Sequence, residues 1–433
     1  MPDVIVIGAG LAGCEAAWRL AEKGFSVDLF EMKPNRRSPA HKLDTFAELV
    51  CSNSLKADRI SSAAGLLKAE MRIFGSLCLE AASNCSVAAG GALAVDRHAF
   101  SNYITDKIKS HSNINVRYET VEKVPLDIPT IIATGPLTDG KLAEDIKALC
   151  GKETLSFYDA AAPIVTAESI DMSIAFKASR YGKGDDDYIN CPMNREEYER
   201  FHSALVEAES AELHSFDKNV NVYEGCMPIE ILAKRGEDSI RFGPLKPVGL
   251  TDPRTDRRPW AVVQLRSENK DGTLYNLVGF QTNLKFAEQK RVFSLIPGLE
   301  NAEFIRYGVM HRNSFINSPV LLNKDLSLKA NNKIFFAGQM TGVEGYMESA
   351  SCGIIASENM IRRLSGKEPL ALPDITMLGA LIKYITDDTV TDFQPMGANF
   401  GIIPSLPTRI KDKAERYTAL SKRSLEWYSD YLK

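Results

Sequence analysis

Two cysteines stand in sequence surroundings where a thiol could do chemistry. Cys51 lies in a polar segment, residues 48–54, and Cys226 lies in a segment bounded by glycine and proline. A thiolate can add to an electron-poor carbon or accept a proton, so both side chains are candidate catalytic groups. Exposure and pKa do not follow from spacing, so the pattern alone leaves each cysteine open between a catalytic and a packing role.

The remaining cysteines have no spacing that suggests a metal site or a disulfide framework. There is no C-x-x-C pair and no close cluster of cysteine and histidine, which argues against zinc, and no metal is expected. Cys14 falls on the first predicted helix and is most simply a packing residue. The others are Cys78, Cys85, Cys150, Cys191 and Cys352.

A glycine-rich turn opens the chain between a predicted strand and a predicted helix. Its residues are Gly8, Ala9, Gly10, Leu11, Ala12 and Gly13. Glycines in this pattern allow a tight turn and a close approach to a pyrophosphate, which the helix N-terminus then attracts. Glu31 ends the second predicted strand, where a carboxylate can accept hydrogen bonds from a ribose diol. The turn therefore predicts a dinucleotide site.

A second turn of this kind occurs late, after the predicted strand at residues 334–337. The candidate cofactor-binding residues in it are Gly338, Gln339, Gly342, Glu344 and Tyr346. A nicotinamide dehydrogenase or an S-adenosylmethionine enzyme does not need this second motif. FAD is longer and does, so the two turns together favour FAD.

The predicted elements around these residues are those of an α/β protein. Strands at residues 4–7, 26–31, 116–119 and 130–133 alternate with helices at 11–23, 64–80 and 97–109, the last capped by Asp96. This order predicts a doubly wound FAD-binding domain of the Rossmann-like, glutathione-reductase type. We expect residues 1–150 and 329–433 to form it, the latter with a helical tail, and residues 151–328 to be an inserted α+β domain for RNA or substrate.

Composition places the chain among globular proteins. Hydrophobic residues make up 44% and charged residues 25% of the 433, and the net charge is −4. No apolar stretch has the roughly 18 residues of a membrane span, so a cytoplasmic protein without a membrane partner is expected. The negative charge means that a nucleic acid would need a local basic face.

Several longer strings resemble one family, the folate- and FAD-dependent tRNA (uracil-5-)-methyltransferases known as TrmFO. The resemblance covers nearly the whole chain. The strings that carry it are Val50-Cys51-Ser52-Asn53-Ser54-Leu55 and residues 89–97, 224–230, 241–250, 279–282, 306–313 and 338–348.

The resemblance implies methylation of carbon 5 of a T-loop uridine in tRNA. The carbon would come from 5,10-methylenetetrahydrofolate, and the electrons from NADPH or NADH through FAD. By position in the family motifs, Cys226 would be the nucleophile that adds to carbon 6 of uracil, and Cys51 the general base. These two roles could also be exchanged.

Other residues carry weaker functional interpretations. Asn283 and Tyr346 could contact folate or flavin, and Arg97 and Arg312 could bind phosphate or the folate glutamate; packing and ion pairing are the alternatives. Cys191 also matches a family position, where a structural role is favoured. Basic residues at 254–258 and 409–423 could bind tRNA, although such runs are usually solvated. No DNA partner is expected.

Three alternative functions remain open at this point. The same chemistry could act on a ribosomal RNA uridine, since the catalytic residues would be identical. The chain could be a general NAD(P)H-dependent flavin oxidoreductase. It could also be a flavoprotein that binds RNA as a folding aid without catalysis.

Overall fold

The computed structural model describes residues 1–38, 40–151, 154–160, 162–182, 186–211, 227–390 and 393–431. Within these ranges, no helix combines the length and the apolar character needed to traverse a lipid bilayer.

The described chain alternates strands and helices, with the longest helices near its end. The helices are α1 (Leu11–Glu22), α2 (Ala63–Ile73), α3 (Leu77–Asn84), α4 (Arg97–Ser110), α5 (Gly140–Leu149), α6 (Arg195–Glu207), α7 (Ile229–Ala233), α8 (Ser239–Phe242), α9 (Phe286–Phe293), α10 (Ser318–Leu321), α11 (Tyr346–Leu364), α12 (Met377–Thr386) and α13 (Lys413–Tyr431). The strands are β1 (Val4–Ile7), β2 (Val27–Phe30), β3 (Ser54–Ala57), β4 (Ser86–Val87), β5 (Ala92–Val95), β6 (Ile114–Arg117), β7 (Thr130–Ile132), β8 (Thr154–Ala160), β9 (Ile164–Thr166), β10 (Phe176–Lys177), β11 (Tyr188–Met193), β12 (Ala261–Ser267), β13 (Leu274–Leu277), β14 (Phe304–Arg306), β15 (Met310–Ile316), β16 (Ser327–Leu328) and β17 (Asn331–Phe336).

A six-stranded sheet joins the two ends of the chain. Its order is β16-β17-β7-β1-β2-β6, and all neighbours except β16 and β17 are parallel. The strand β1 is buried along its whole length, because helices cover both faces of a parallel sheet and every side chain is removed from water. The predicted doubly wound fold is confirmed.

A second core lies in the middle of the chain around an antiparallel sheet. This sheet has the order β10-β11-β12-β13-β9-β14, and α6 and α9 pack against it with Phe201 and Phe293. The chain enters this region through β8 and leaves it through β15, which pair with each other antiparallel over seven residues. The β8–β15 pair therefore joins the start and the end of the region that contains the second core.

The C-terminal helices are tied to α2 by one buried carboxylate. Glu70 accepts hydrogen bonds from the backbone N–H groups of Met377 (2.7 Å) and Leu378 (2.8 Å) at the start of α12. It also accepts from the hydroxyls of Ser424 (2.6 Å) and Tyr428 (3.3 Å) on α13. Burial raises the pKa of Glu70 to about 7. The end of the chain is thus bonded into the first core.

One predicted helix is wrong. Residues 64–80 form two helices, α2 and α3, with a break at Gly75, whose φ of +71° is left-handed. Ser76 then caps α3 by accepting from Leu79 N–H, so a new helix begins where the apolar pattern seems continuous. The Asp96 cap is confirmed, since its carboxylate accepts from His98 and Ala99 N–H at the start of α4.

Candidate active site

A deep cleft opens where β1, β2, β7 and β17 end. With its open mouth it holds about 1270 Å³. Ligands of doubly wound folds bind at this edge, because the helix N-termini and the carboxyl ends of the strands meet there. Of the predicted cofactor residues, those that line the cleft are Gly8, Ala9, Gly10, Leu11, Ala12, Glu31, Gly338, Gln339 and Tyr346.

The first glycine turn is shaped by two different needs. A Cβ on Gly13 would stand 1.8 Å from the carbonyl oxygen of Gly8, so glycine is required for the helix to approach the strand. A Cβ on Gly10 would meet nothing within 4 Å, because it would project into open space. Gly10 is the N-cap of α1 and has no side-chain cap. The open space therefore lies at a helix N-terminus, where a pyrophosphate is favoured.

Glu31 is held in place by two backbone N–H groups, one in the glycine turn and one just after β2. Its two carboxylate oxygens accept from Ala9 N–H (2.9 Å) and Lys33 N–H (3.0 Å). The side chain is buried at the cleft wall. Each oxygen keeps a lone pair beyond these bonds, so the group can still accept from a ribose hydroxyl.

Some residues of the late glycine turn line the cleft, and others support the residues that do. Gly338 and Gln339 face the cleft, whereas Gly342, with a φ of +86°, packs against the ring of Phe393. Glu344 accepts from Gln339 Nε2 at 2.6 Å. Glu344 therefore orients Gln339, and Gly13 and Gly342 shape the backbone behind the cleft.

Tyr346 connects the cleft to the segment that contains Cys51. Its hydroxyl oxygen accepts from the backbone N–H groups of Cys51 (2.6 Å) and Ser52 (3.1 Å). Burial raises the pKa of Tyr346, so the hydroxyl stays protonated at neutral pH. The ring lines the cleft while its oxygen fixes the Cys51 backbone.

Three arginines hold the same segment from other parts of the chain. Arg97 donates to the carbonyl oxygens of Leu49 (2.8 Å) and Cys51 (3.4 Å), and Arg306 donates to the carbonyl of Val50. Arg266 donates to Ser52 Oγ (2.7 Å) and Asn53 Oδ1 (3.0 Å). Glu268 pairs with Arg97, with 2.6 Å between Nε and Oε2.

Cys226 lies outside the described residues. Described residues before and after it both form backbone hydrogen bonds to residues 281–283. Ala211 N–H donates to Asn283 O (2.8 Å), and Ile229 N–H donates to Gln281 O (2.8 Å). The amide of Asn283 donates to Ala211 O at 3.1 Å, so this candidate ligand residue is engaged within the protein.

Comparison of the sequence with known proteins identifies the family to which the chain belongs. The family model described as glucose inhibited division protein A matches residues 3–368. The chain is 58% identical over 427 residues to the methylenetetrahydrofolate--tRNA-(uracil-5-)-methyltransferase TrmFO of Acetivibrio thermocellus, covering 99% of this chain and 98% of that protein. It is 55% identical to the TrmFO of Halalkalibacterium halodurans, covering 100% and 99%. The chain belongs to the TrmFO family.

The solved structure of Aquifex aeolicus GidA resembles this TrmFO-family chain in fold. In its form I crystal the TM-score is 0.71 at 19% identity, covering 98% of this chain and 76% of that one. At this identity the likeness concerns the fold alone. The predicted family is confirmed.

Sequence reasoning missed Arg266, Arg306 and Glu268. One signal could have identified Arg266: β12 alternates, with Val263 and Leu265 in the second core and Gln264 and Arg266 on the opposite face. An arginine that is buried in such a strand needs partners, and these come from the TrmFO segment at residues 49–53. Arg306 begins the string at residues 306–313 that resembles the family, but that string assigned it no role, and no local pattern marks Glu268.

The weaker candidates receive different positions. Arg97 is half-buried and paired with the buried Glu268, which fits the ion-pair alternative rather than an exposed phosphate ligand. Cys191 is fully buried, and burial raises the pKa of its thiol, as expected of a packing residue. Arg254 is exposed and paired with Asp252 at 2.8 Å. The side chain of Arg312 lies outside the described residues. Among the described residues no cluster could hold a metal ion.

Proposed function

We propose that this protein methylates carbon 5 of a uridine in tRNA, with the one-carbon unit supplied by 5,10-methylenetetrahydrofolate. The observation that carries this proposal is the 55–59% identity, over nearly the whole chain, to proteins named for that reaction. A cleft lined by Val50, the residue before Cys51, supports the proposal. The finer parts of the proposal are the T-loop uridine, the use of NADPH or NADH as reductant, and RNA binding by residues 151–328 with the basic residues at 254–258 and 409–423.

The cleft fits FAD. The open space at Gly10 and the N-terminus of α1 suit the pyrophosphate, and Glu31 can accept from the ribose. Gly338, Gln339 and Tyr346 line the part of the cleft beyond the first turn, where the flavin end would lie. When bound and reduced by NADPH or NADH, the flavin would supply the hydride that converts a methylene group on carbon 5 into methyl.

We assign the covalent step to Cys226 from its sequence position. Its sulfur forms a bond to carbon 6 of uracil, and the electron pair of the C5–C6 double bond moves toward carbon 5 and oxygen 4. Carbon 5 can then bond to the one-carbon unit. When the exocyclic methylene is reduced, the double bond forms again and the thiolate of Cys226 leaves.

We assign the proton transfer to Cys51. After carbon 5 has gained the one-carbon unit, a thiolate on Cys51 can take the proton from carbon 5. The electron pair of that C–H bond then forms the double bond to the exocyclic methylene, and the bond between the methylene carbon and the nitrogen of its carrier breaks, which releases the carrier. The backbone bonds from Tyr346, Arg97 and Arg306 fix the segment from which this thiolate acts. Such positioning is what a general base requires.

A covalent trap tests the proposal. In T-arm RNA with 5-fluorouridine, carbon 5 carries fluorine in place of the hydrogen that a base removes as a proton. The reaction therefore stops at that step, and the adduct through sulfur should persist with wild-type protein, folate and reductant. Cys226→Ala should form no adduct, and Cys51→Ala should form an adduct but methylate ordinary RNA poorly. Cys191→Ala, a buried cysteine, is the matched control and should behave as wild type.

Other outcomes would contradict the proposal. An adduct that persists in Cys226→Ala would overturn the nucleophile assignment. Methylation of a ribosomal RNA transcript but not of tRNA would favour the first alternative, and reductant oxidation with no RNA product would favour a general flavin oxidoreductase.

A further inference from the structure

The segment that carries Cys51 is surrounded by more positive charge than its ion pair neutralises. Arg97 shares the carboxylate of Glu268, with Nε and the second nitrogen at 2.6 and 3.2 Å from its oxygens. Arg266 and Arg306 instead donate to neutral acceptors of the segment, an amide, a hydroxyl and a backbone carbonyl. Three guanidinium groups therefore stand against one carboxylate.

This excess charge is largely removed from water, although Arg97 and Arg306 are only half-buried. Arg266 is 7% exposed and Glu268 is 4% exposed. Burial lowers the pKa of Arg266 and of Arg306, and for Arg306 the neighbouring Arg97 lowers it further. Buried charges are costly unless an opposite charge is near, so this arrangement favours an anion among the guanidinium groups.

The other titratable groups around the segment do not supply that anion. The hydroxyls of Tyr346, on α11, and Tyr188, on β11 beside Arg266, stay neutral because burial raises the pKa of both. Two carboxylates on adjoining parts of the chain are already compensated: Glu348, two residues after Tyr346, pairs with Lys56 at 2.7 Å, and Glu48 lies 4.0 Å from Lys33 Nζ. Among the described residues the thiol of Cys51 is the remaining group that can become an anion there.

We propose that Arg97, Arg266 and Arg306 stabilise the thiolate of Cys51, and that Glu268 limits the size of this effect. These four are positioning residues, since they act through Cys51 rather than on the substrate. The inference rests on the proposed function in one respect: a general base at Cys51 must carry no proton when the substrate arrives. Arg97 donates to the carbonyl oxygen of Cys51 itself (3.4 Å), Arg306 to that of Val50, and Arg266 to Ser52 Oγ (2.7 Å), so the three guanidinium groups contact the residue that bears the sulfur and its two neighbours.

The test measures the reactivity of Cys51 against pH in the FAD-loaded protein. Under reducing conditions, iodoacetamide labels thiolates, and mass spectrometry of the peptide with Cys51 gives its rate from pH 5.5 to 9.5. The half-maximal pH should lie about one unit or more below that of free cysteine. Glu268→Gln should lower it further, and Arg306→Gln should raise it by about one unit.

Matched controls separate this effect from a general change in charge. The exposed Arg291 and the half-buried Glu288 form an ion pair on α9, at 2.6 Å, so Glu288→Gln and Arg291→Gln change the same charges away from the segment. Both should leave the half-maximal pH unchanged. Arg306→Lys keeps the charge and should restore most of the wild-type profile. That recovery would attribute the shift in Arg306→Gln to the lost charge rather than to a loss of folding.

Opposite shifts in the two charge variants support the inference, because a purely structural role would not move the profile in opposite directions. A wild-type profile equal to that of free cysteine, or shifts of one sign in both variants, would overturn it. The measurement uses neither RNA nor folate. Failure of the fluorouridine trap with an intact pH profile would therefore count against the proposed function alone.

Discussion

The glycine turn at β1 and the segment that carries Cys51 face the same cleft but are built in different ways. In the turn, backbone N–H groups make the contacts, and the N–H of Ala9 donates to the carboxylate of Glu31, which is only 22 positions away. The Cys51 segment is held by side chains 46 to 295 positions distant, from Arg97 to Tyr346. The first region can be predicted from a short string, whereas the second exists only after the two cores have come together.

The largest expected effect comes from breaking the buried ion pair of the Cys51 segment. Arg97→Met leaves the carboxylate of Glu268 buried without its partner and removes the donor to Leu49 O, so the free energy of unfolding should fall by about 3–5 kcal/mol. Urea unfolding followed by circular dichroism measures this. Arg291→Met, at the surface pair with Glu288, is the control and should cost less than about 1 kcal/mol. Equal effects in the two variants would contradict the prediction.

The next effect separates the two roles of glycine within the turn. Gly13→Ala places a methyl group against the Gly8 carbonyl and should destabilise the protein by about 3 kcal/mol, seen as a lower melting temperature. Gly10→Ala should leave the melting temperature of the apoprotein nearly unchanged but reduce bound flavin, measured by absorbance after purification. Normal flavin content in Gly10→Ala would show that the open space at Gly10 is not the cofactor site.

The smallest effect concerns the link between the two regions. Tyr346→Phe keeps the ring in the cleft but removes the oxygen that accepts from Cys51 and Ser52 N–H. Two amides without an acceptor should cost about 1–3 kcal/mol locally. Hydrogen exchange at these amides should become faster, while Tyr103→Phe, whose hydroxyl bonds Glu80 near the surface, should leave them unchanged. Unchanged exchange in Tyr346→Phe would mean that the arginines alone fix the segment.

What could be predicted from sequence follows the same division. The strand at residues 4–7, the glycine turn and the Asp96 cap depend on neighbours in the chain, and the structure contains all three. The predicted helix at residues 64–80 failed because a left-handed Gly75 interrupts an apolar pattern that continues on both sides. The surroundings of Cys51 could not be predicted, because Arg266 and Arg306 come from strands of the second core.

The bonds from Glu70 to α12 and α13 have a practical consequence for handling the protein. A truncation before Lys413 would remove Ser424 and Tyr428, which donate hydrogen bonds to the buried carboxylate of Glu70. It would also expose the ring of Phe74, which packs edge-on against Tyr428 with 5.9 Å between the ring centroids. Such a shortened chain should be a ready target for proteases. Purification tags are better attached at the exposed Met1 than after a helix whose side chains complete the interior.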